Sequence, residues 1–222
     1  MTLKRTTLFA AIGISYTFAL RAIGTFLPDI FRNLQVAQVI TIISLLASLT
    51  FVLFFFCFYR DYVQEEQSNL RKASVLAIIG TSAVTLLQIK GLFLVFKKAL
   101  MHIYNISPHL VGLIRSRHVI VPIVPWVSSI FILLFFVVFR REALRKDQVK
   151  LSKAILFAIV GSSIGTSLRT IVLFHYLYSR EVRWFADLSR TIQIIFVPIT
   201  AFGFIAVFYF LLTFYKEQKG KG

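Results

Sequence analysis

Three stretches of this chain, at residues 33–59, 118–139 and 191–215, contain no Asp, Glu, Lys or Arg. Each is at least as long as the ~20 apolar residues that a helix needs to cross about 30 Å of hydrocarbon. In that medium the backbone must satisfy its own hydrogen bonds, so such stretches predict transmembrane helices. The composition agrees, because 58% of the residues are hydrophobic, against roughly 45–50% in soluble domains. The chain is therefore expected to be a membrane protein.

A second feature is a 24-residue stretch that occurs three times. Residues 3–26 recur without a gap at 70–93 and 151–174, and the second and third copies are identical at 11 of 24 positions. Apolar composition explains shared Leu and Ala, but not an aligned Gly and an aligned Ser. The positions that are the same in all three copies are Leu3, Leu70 and Leu151; Ala10, Ala77 and Ala158; Gly13, Gly80 and Gly161; Ser15, Ser82 and Ser163; Leu20, Leu87 and Leu168; and Phe26, Phe93 and Phe174. The pattern predicts a tandem repeat.

The repeated unit is a hairpin of two helices, because each copy precedes an uncharged run and these runs end alike, in LFFFCFYR, LLFFVVFR and FLLTFYK. We predict an all-α polytopic membrane protein organised as three tandem two-helix hairpin repeats, at residues 1–62, 63–143 and 144–222 of one transmembrane domain. Its six transmembrane helices are expected at residues 6–27, 36–59, 71–96, 119–139, 153–178 and 191–215. Repeats that begin and end on the same side are parallel, and an axis along the membrane normal relates them. Three copies predict a pseudo-threefold bundle.

Three tandem two-helix hairpins resemble the architecture of the mitochondrial carriers. In that family the odd-numbered helices end in the motif P-x-[D/E]-x-x-[K/R]. Here Asp29 and Arg32 each follow Pro28 one position too early for that motif, and the other two copies have no such proline. The resemblance therefore covers the hairpin architecture and implies no membership of the family.

The net charge of +16 predicts an orientation in the membrane. The N-terminus, the connections at 60–72 and 140–153 and the C-terminal tail hold 14 Lys and Arg residues, whereas the connections on the other side hold 8. By the positive-inside rule both termini are expected in the cytoplasm. The same basic segments predict contact with anionic lipids at the cytoplasmic face. Nucleic acid is not an expected partner, because these charges flank the spans and are not interleaved with exposed aromatic residues.

One face of each repeated helix is rich in small residues. Small side chains allow helix backbones to approach closely, which stabilises helix association in lipid, where the hydrophobic effect does not operate between helices. We therefore predict helix packing at this face. The predicted packing residues are Ala10, Gly13, Gly24, Ala77, Gly80, Gly91, Ala158, Gly161 and Gly165.

The same face carries Arg21, Gln88 and Arg169 at corresponding positions. A charge inside the bilayer costs ~2.5–3.5 kcal/mol even on the mildest scale, and such residues usually face protein or water and mark a function. Three interpretations stay open: burial with a structural partner, binding of an anion or an anionic lipid headgroup, and snorkelling to the membrane surface. Side chains lean towards the N-terminus of their helix, which is the cytoplasmic end here and argues against snorkelling. The candidate structural counter-charges are Asp29, Glu181 and Asp187.

Signatures of enzymes are absent from the sequence, which has no HExxH, nucleophile elbow, paired intramembrane carboxylates, CxxC or Gly-rich phosphate loop. No catalytic residue and no cofactor are expected. His102, His109 and His118 form no i,i+4 pair and have no acidic neighbour, so a metal site is not expected either. The single Cys57 is expected to be a small packing residue.

Two functions remain. The first is a non-catalytic integral membrane subunit or sensory docking module that binds partner membrane proteins or a second copy of itself. It is favoured by the very small content of residues outside the spans. The alternative is a channel or transporter for an anion or an anionic lipid headgroup that uses Arg21, Gln88 and Arg169.

Overall fold

A computed structural model describes residues 1–26, 34–101, 120–178 and 184–220. In these ranges the regular structure is entirely helical, which confirms the predicted class, and all six expected helices occur. Most are longer than expected, because the charged residues at their ends continue the helix beyond the apolar run. The helices are α1 (Leu3–Phe26), α2 (Leu34–Asp61), α3 (Ser68–Met101), α4 (Ile120–Arg145), α5 (Val149–Tyr178) and α6 (Trp184–Gly220).

Five of these helices, α2 to α6, are long and apolar enough to cross a membrane. They are the helices of an integral, multi-pass membrane protein. For α1, which begins with Lys4 and Arg5 in its first turn, the transmembrane assignment stays a prediction.

The six helices close a ring. Each packs against the helices that precede and follow it in the chain, and α1 packs against α6. Among the described residues, no helix backbone comes within 8 Å (Cα to Cα) of a helix across the ring. The interior of the ring is therefore either filled by side chains or empty. Which of these holds determines whether a ligand can bind inside.

The outer surface of the ring is apolar. In α2 the exposed apolar side chains recur every three or four residues, which places them on one face of the helix. They are Val39, Ile42, Leu46, Leu49, Leu53 and Phe56. A continuous apolar stripe of this kind on the outside is what contact with acyl chains requires, so it marks the side of α2 that faces away from the interior.

The N-terminus, the end of α6 and two connections lie at one end of the ring, which we call the terminal end. The carbonyl of Met1 accepts a hydrogen bond of 3.0 Å from Nη2 of Arg60, at the end of α2. Tyr62, in the α2–α3 turn, donates a hydrogen bond of 3.3 Å to Oε1 of Gln148, in the α4–α5 turn. That second turn is tight because Asp147 adopts the left-handed conformation, with φ of 56°, as residues after a helix commonly do. The opposite end of the ring is called the far end below.

The interior at the terminal end is filled by a cluster of large side chains from α2, α4 and α6. Each helix contributes three residues at positions i, i+1 and i+4, all at most 2% exposed. The members of this aromatic cluster are Phe54, Phe55 and Phe58; Phe135, Phe136 and Phe139; and Phe210, Leu211 and Phe214. Ring centroids of Phe58 lie 4.9 Å from Phe139 and 5.7 Å from Phe214, within the favourable range for aromatic pairs. Phe136 and Phe210, 5.0 Å apart, complete the third side.

The glycines of the repeated stretch lie at close contacts between the two helices of each hairpin. A Cβ on Gly13 would lie 3.1 Å from the carbonyl oxygen of Ala47, and one on Gly80 would lie 3.0 Å from Cα of Ser128. On Gly161 it would lie 3.0 Å from Cα of Gly203. Each contacted residue stands seven positions before the first aromatic-cluster residue of its helix, so the three contacts are equivalent. The predicted packing residues Ala10, Ala77 and Ala158 are fully buried.

Two of the predicted packing residues differ from the others. A Cβ on Gly91 or Gly165 would meet no atom of the described residues within 4 Å, so helix packing at these positions stays a prediction. Both lie nearer the far end, where most neighbouring residues of the same helix are half-buried. The surroundings of Gly24 and the connection with His102, His109 and His118 lie outside what the structure describes.

Candidate anion-binding site

The helical register of α3 and α5 turns Gln88 and Arg169 away from the exposed face of each helix. Ile12, Ile79 and Val160 occupy one repeat position and are 45%, 53% and 43% exposed. Nine residues later in each helix the direction has changed by about 180°, since each residue adds ~100°. That later position holds Arg21, Gln88 and Arg169.

Arg169 is held at the interface of α4 and α5. Its Nη1 donates a hydrogen bond of 2.8 Å to the carbonyl oxygen of Pro125. Beside it, Nε1 of Trp126 donates one of 2.8 Å to Oγ1 of Thr170, so two neighbouring bonds tie α4 to α5 at this level. This carbonyl acceptor fixes the orientation of the guanidinium. The sequence could not predict this partner, because every residue has a backbone carbonyl and no residue type marks the one that accepts the bond.

Gln88 occupies the corresponding place at the interface of α2 and α3. Its Oε1 accepts a hydrogen bond of 2.5 Å from Oγ of Ser48, and the same Ser48 oxygen accepts one of 3.2 Å from Oγ1 of Thr85. Thr85 is a polar residue that is buried between the two helices. Gln88 and Arg169 therefore each link a hairpin to the one before it, across different helix pairs.

Space adjoins these residues on the same helices. Gly165 precedes Arg169 by one turn, and Gly91 follows Gln88 by about one turn. At both glycines a Cβ would meet open space. Among the described residues, both glycines therefore leave room beside a polar group.

Arg21 lies in α1, but its side chain lies outside what the structure describes, as do the expected counter-charges Asp29, Glu181 and Asp187.

No family model, no curated protein and no solved structure matches this chain. The chemistry of the site is therefore argued from its own residues.

The described groups can recognise an anion. A guanidinium carries five N–H donors and a permanent positive charge, and its hydrogen bonds to an anion are about twice as strong as bonds between neutral groups. The amide of Gln88 adds donors that can be turned towards a ligand. Low local dielectric inside a bilayer strengthens each of these interactions.

The shared helix endings of the sequence belong to a longer motif at the terminal end. Aligning the aromatic cluster shows that each second helix ends in F-[F/L]-x-x-F-x-[K/R]-[D/E], at residues 54–61, 135–142 and 210–217. The recurrence of this eight-residue pattern is a signal from which the cluster could have been predicted. Tyr62 covers the cluster: its ring is stacked on that of Phe58 at 4.8 Å and meets the ring of Phe214 edge-on at 5.5 Å. The interior is therefore filled with aromatic rings at the terminal end, and polar groups lie between neighbouring helices nearer the far end.

Proposed function

We propose that this protein is a channel or transporter for a small anion, or for the anionic headgroup of a lipid, which binds in the interior of the ring beside Arg169 and Gln88. The observation that carries the proposal is the fixed guanidinium of Arg169 on the side of α5 opposite the exposed Val160, with open space one turn away at Gly165. A positive charge in this position is costly unless a protein group or a ligand stabilises it.

The contrast between the two ends of the ring supports transport rather than simple binding. The aromatic cluster blocks passage at the terminal end, while hydroxyl, amide and guanidinium groups occur nearer the far end. A ligand would then reach the site from the far side and cross only when the aromatic cluster separates. Alternating access of this kind needs a site that opens to one side at a time.

We also propose that the three hairpins are tandem repeats around a pseudo-threefold axis, with both termini in the cytoplasm. The equivalent glycine contacts and the recurring aromatic motif support the repeat. The excess of basic residues at the terminal end supports the orientation.

Anion flux from reconstituted vesicles tests the proposed function. Vesicles loaded with chloride or inorganic phosphate, and containing the purified chain, should release at least one of these ions faster than empty vesicles. Arg169→Gln should lower that rate roughly ten- to a hundredfold, because a hydrogen bond to a charged group contributes about 1.5–3 kcal/mol. Lys90→Gln is the matched control, because it removes a positive charge from α3 close to Gln88.

A second variant separates a loss of function from a loss of folding. Gly165→Leu should fit the open space without a clash, so the protein should unfold at an unchanged temperature while flux is blocked. If Arg169→Gln and Gly165→Leu both leave a measurable flux at the wild-type rate, the transport proposal is wrong.

The docking module stays an alternative proposal. Exposed apolar side chains around the ring would suit either lipid or a partner membrane protein, so they do not separate the two functions. Purification in mild detergent does separate them: a docking module should retain a stoichiometric partner, and a monodisperse lone monomer with anion flux contradicts it.

A further inference from the structure

A groove runs along the outside of the ring between α3 and α4, at the terminal end. It encloses about 370 Å³ and lies outside the interior site described above. The side chains that line it are Asn69, Lys72, Ala73, Leu76, Leu134, Val138, Arg141, Glu142 and Arg145.

Polarity changes along the groove in one direction. Lys72 and Arg141 lie towards the terminal end of the groove, about one turn inside Asn69 and Arg145. Four residues deeper on α3 stands Leu76, and seven residues deeper on α4 stands Leu134. At 1.5 Å of rise per residue the groove passes from basic to apolar over about 6–10 Å. A phospholipid has this same sequence of groups, from charged phosphate to acyl chain.

The charge balance of the groove selects an anionic ligand. Its one carboxylate, Glu142, already accepts a hydrogen bond of 2.9 Å from Nη1 of Arg145. Lys72 and Arg141, both exposed, remain as two cations at the mouth of the groove. Arg141 presents a planar fork that suits two phosphate oxygens, and Lys72 supplies a point charge.

We infer that this groove binds one anionic phospholipid, with its phosphate between Lys72 and Arg141 and an acyl chain against Leu76, Leu134 and Val138. Each of the two helices of the second hairpin contributes one basic residue and at least one apolar residue to this lipid site. Binding would therefore hold α3 against α4 at the terminal end. This inference does not depend on the interior anion site.

Native mass spectrometry of the full-length protein in mild non-ionic detergent tests the inference. The probes are phosphatidylglycerol and phosphatidylcholine, each added at the same mole fraction. One molecule of phosphatidylglycerol should bind at least tenfold more tightly than phosphatidylcholine. The double variant Lys72→Gln/Arg141→Gln should lose roughly tenfold or more of that affinity, at about 1 kcal/mol per basic residue near the surface.

The matched control is Lys150→Gln/Lys219→Gln, which removes two exposed charges from the same end but not from the groove. It should bind phosphatidylglycerol as the wild type does. An equal loss in both double variants would show general attraction to net positive charge and overturn the site. Displacement of the lipid by inorganic phosphate at equal concentration would also overturn it, because the apolar wall would then contribute nothing. All four substituted side chains are exposed, so an unchanged elution profile is expected for both variants.

Discussion

At the scale of single residues, the same amino acid has opposite roles along one helix. Gly161 lies in contact with the backbone of α6, whereas Gly165, one turn later, adjoins open space. Both were expected from the sequence to pack helices together. Residue type and helical face are identical at the two positions, so only the separation of the helices distinguishes a packing glycine from one that leaves room for a ligand.

A pair of alanine substitutions measures this difference. In Gly161→Ala the new Cβ would lie 2.7 Å from Cβ of Ala206 and 3.0 Å from Cα of Gly203, and overpacking of this kind costs about 1–3 kcal/mol. In Gly165→Ala nothing is in the way, and helix propensity favours alanine by up to about 1 kcal/mol. Thermal unfolding in detergent should show a lower midpoint for the first variant only. Equal midpoints would contradict the assigned helix contact.

At the scale of the element, α2, α4 and α6 join through side chains although their backbones stay apart. The sequence showed that their aromatic residues form a shared helix ending. Because the chain has 24 Phe residues, the sequence could not show which of them face lipid. Phe56 is half exposed and Phe58 fully buried, two residues apart in one run. The apolar runs indicated where the helices lie but not where they end, and the choice of inward residues depends on the ring.

Truncation of these two residues tests the role of the cluster. Phe58→Ala removes a ring that contacts both α4 and α6 and leaves a cavity at the centre of the terminal end. We expect a loss of about 1–3 kcal/mol of unfolding free energy, below the ~3–5 kcal/mol of soluble cores, because no hydrophobic effect operates between helices in lipid. Phe56→Ala, on the exposed face, should change it by less than about 0.5 kcal/mol. Titration with SDS in mixed micelles measures both, and a larger effect at Phe56 would contradict the assigned core.

Tyr62 gives the terminal end a dependence on pH. Burial, with a further contribution from the negative charge of Glu217, raises the pKa of the Tyr62 phenol from 10 to about 12. The folded state holds this proton more tightly than the unfolded state does. The stability it contributes is therefore complete below pH 10 and is lost as the pH rises to about 12. The phenolate absorbance at 295 nm should show one late-titrating tyrosine that is missing in Tyr62→Phe. If the difference in phenolate absorbance between the wild type and Tyr62→Phe instead titrated at pH 10, it would contradict the burial of this hydroxyl.

At the scale of the whole molecule, closing the ring gives the apolar helices a common interior. The sequence indicated the membrane class, the number of helices and the face that carries Gln88 and Arg169. It could not indicate that α1 meets α6, because that contact joins residues far apart in the chain and leaves no local pattern. The carbonyl partner of Arg169 and the groove between α3 and α4 were hidden for the same reason: both depend on how neighbouring helices are placed.

The central claim is that the face of α5 with Gly165 and Arg169 borders an aqueous interior, whereas the face with Val160 borders lipid. Site-directed cysteine labelling tests it directly, after Cys57, which is the single native cysteine and is buried, has been replaced by Ser. A membrane-impermeant thiol reagent applied from the far side should label Gly165→Cys and leave Val160→Cys unlabelled. Labelling of Val160→Cys with protection of Gly165→Cys would contradict the account.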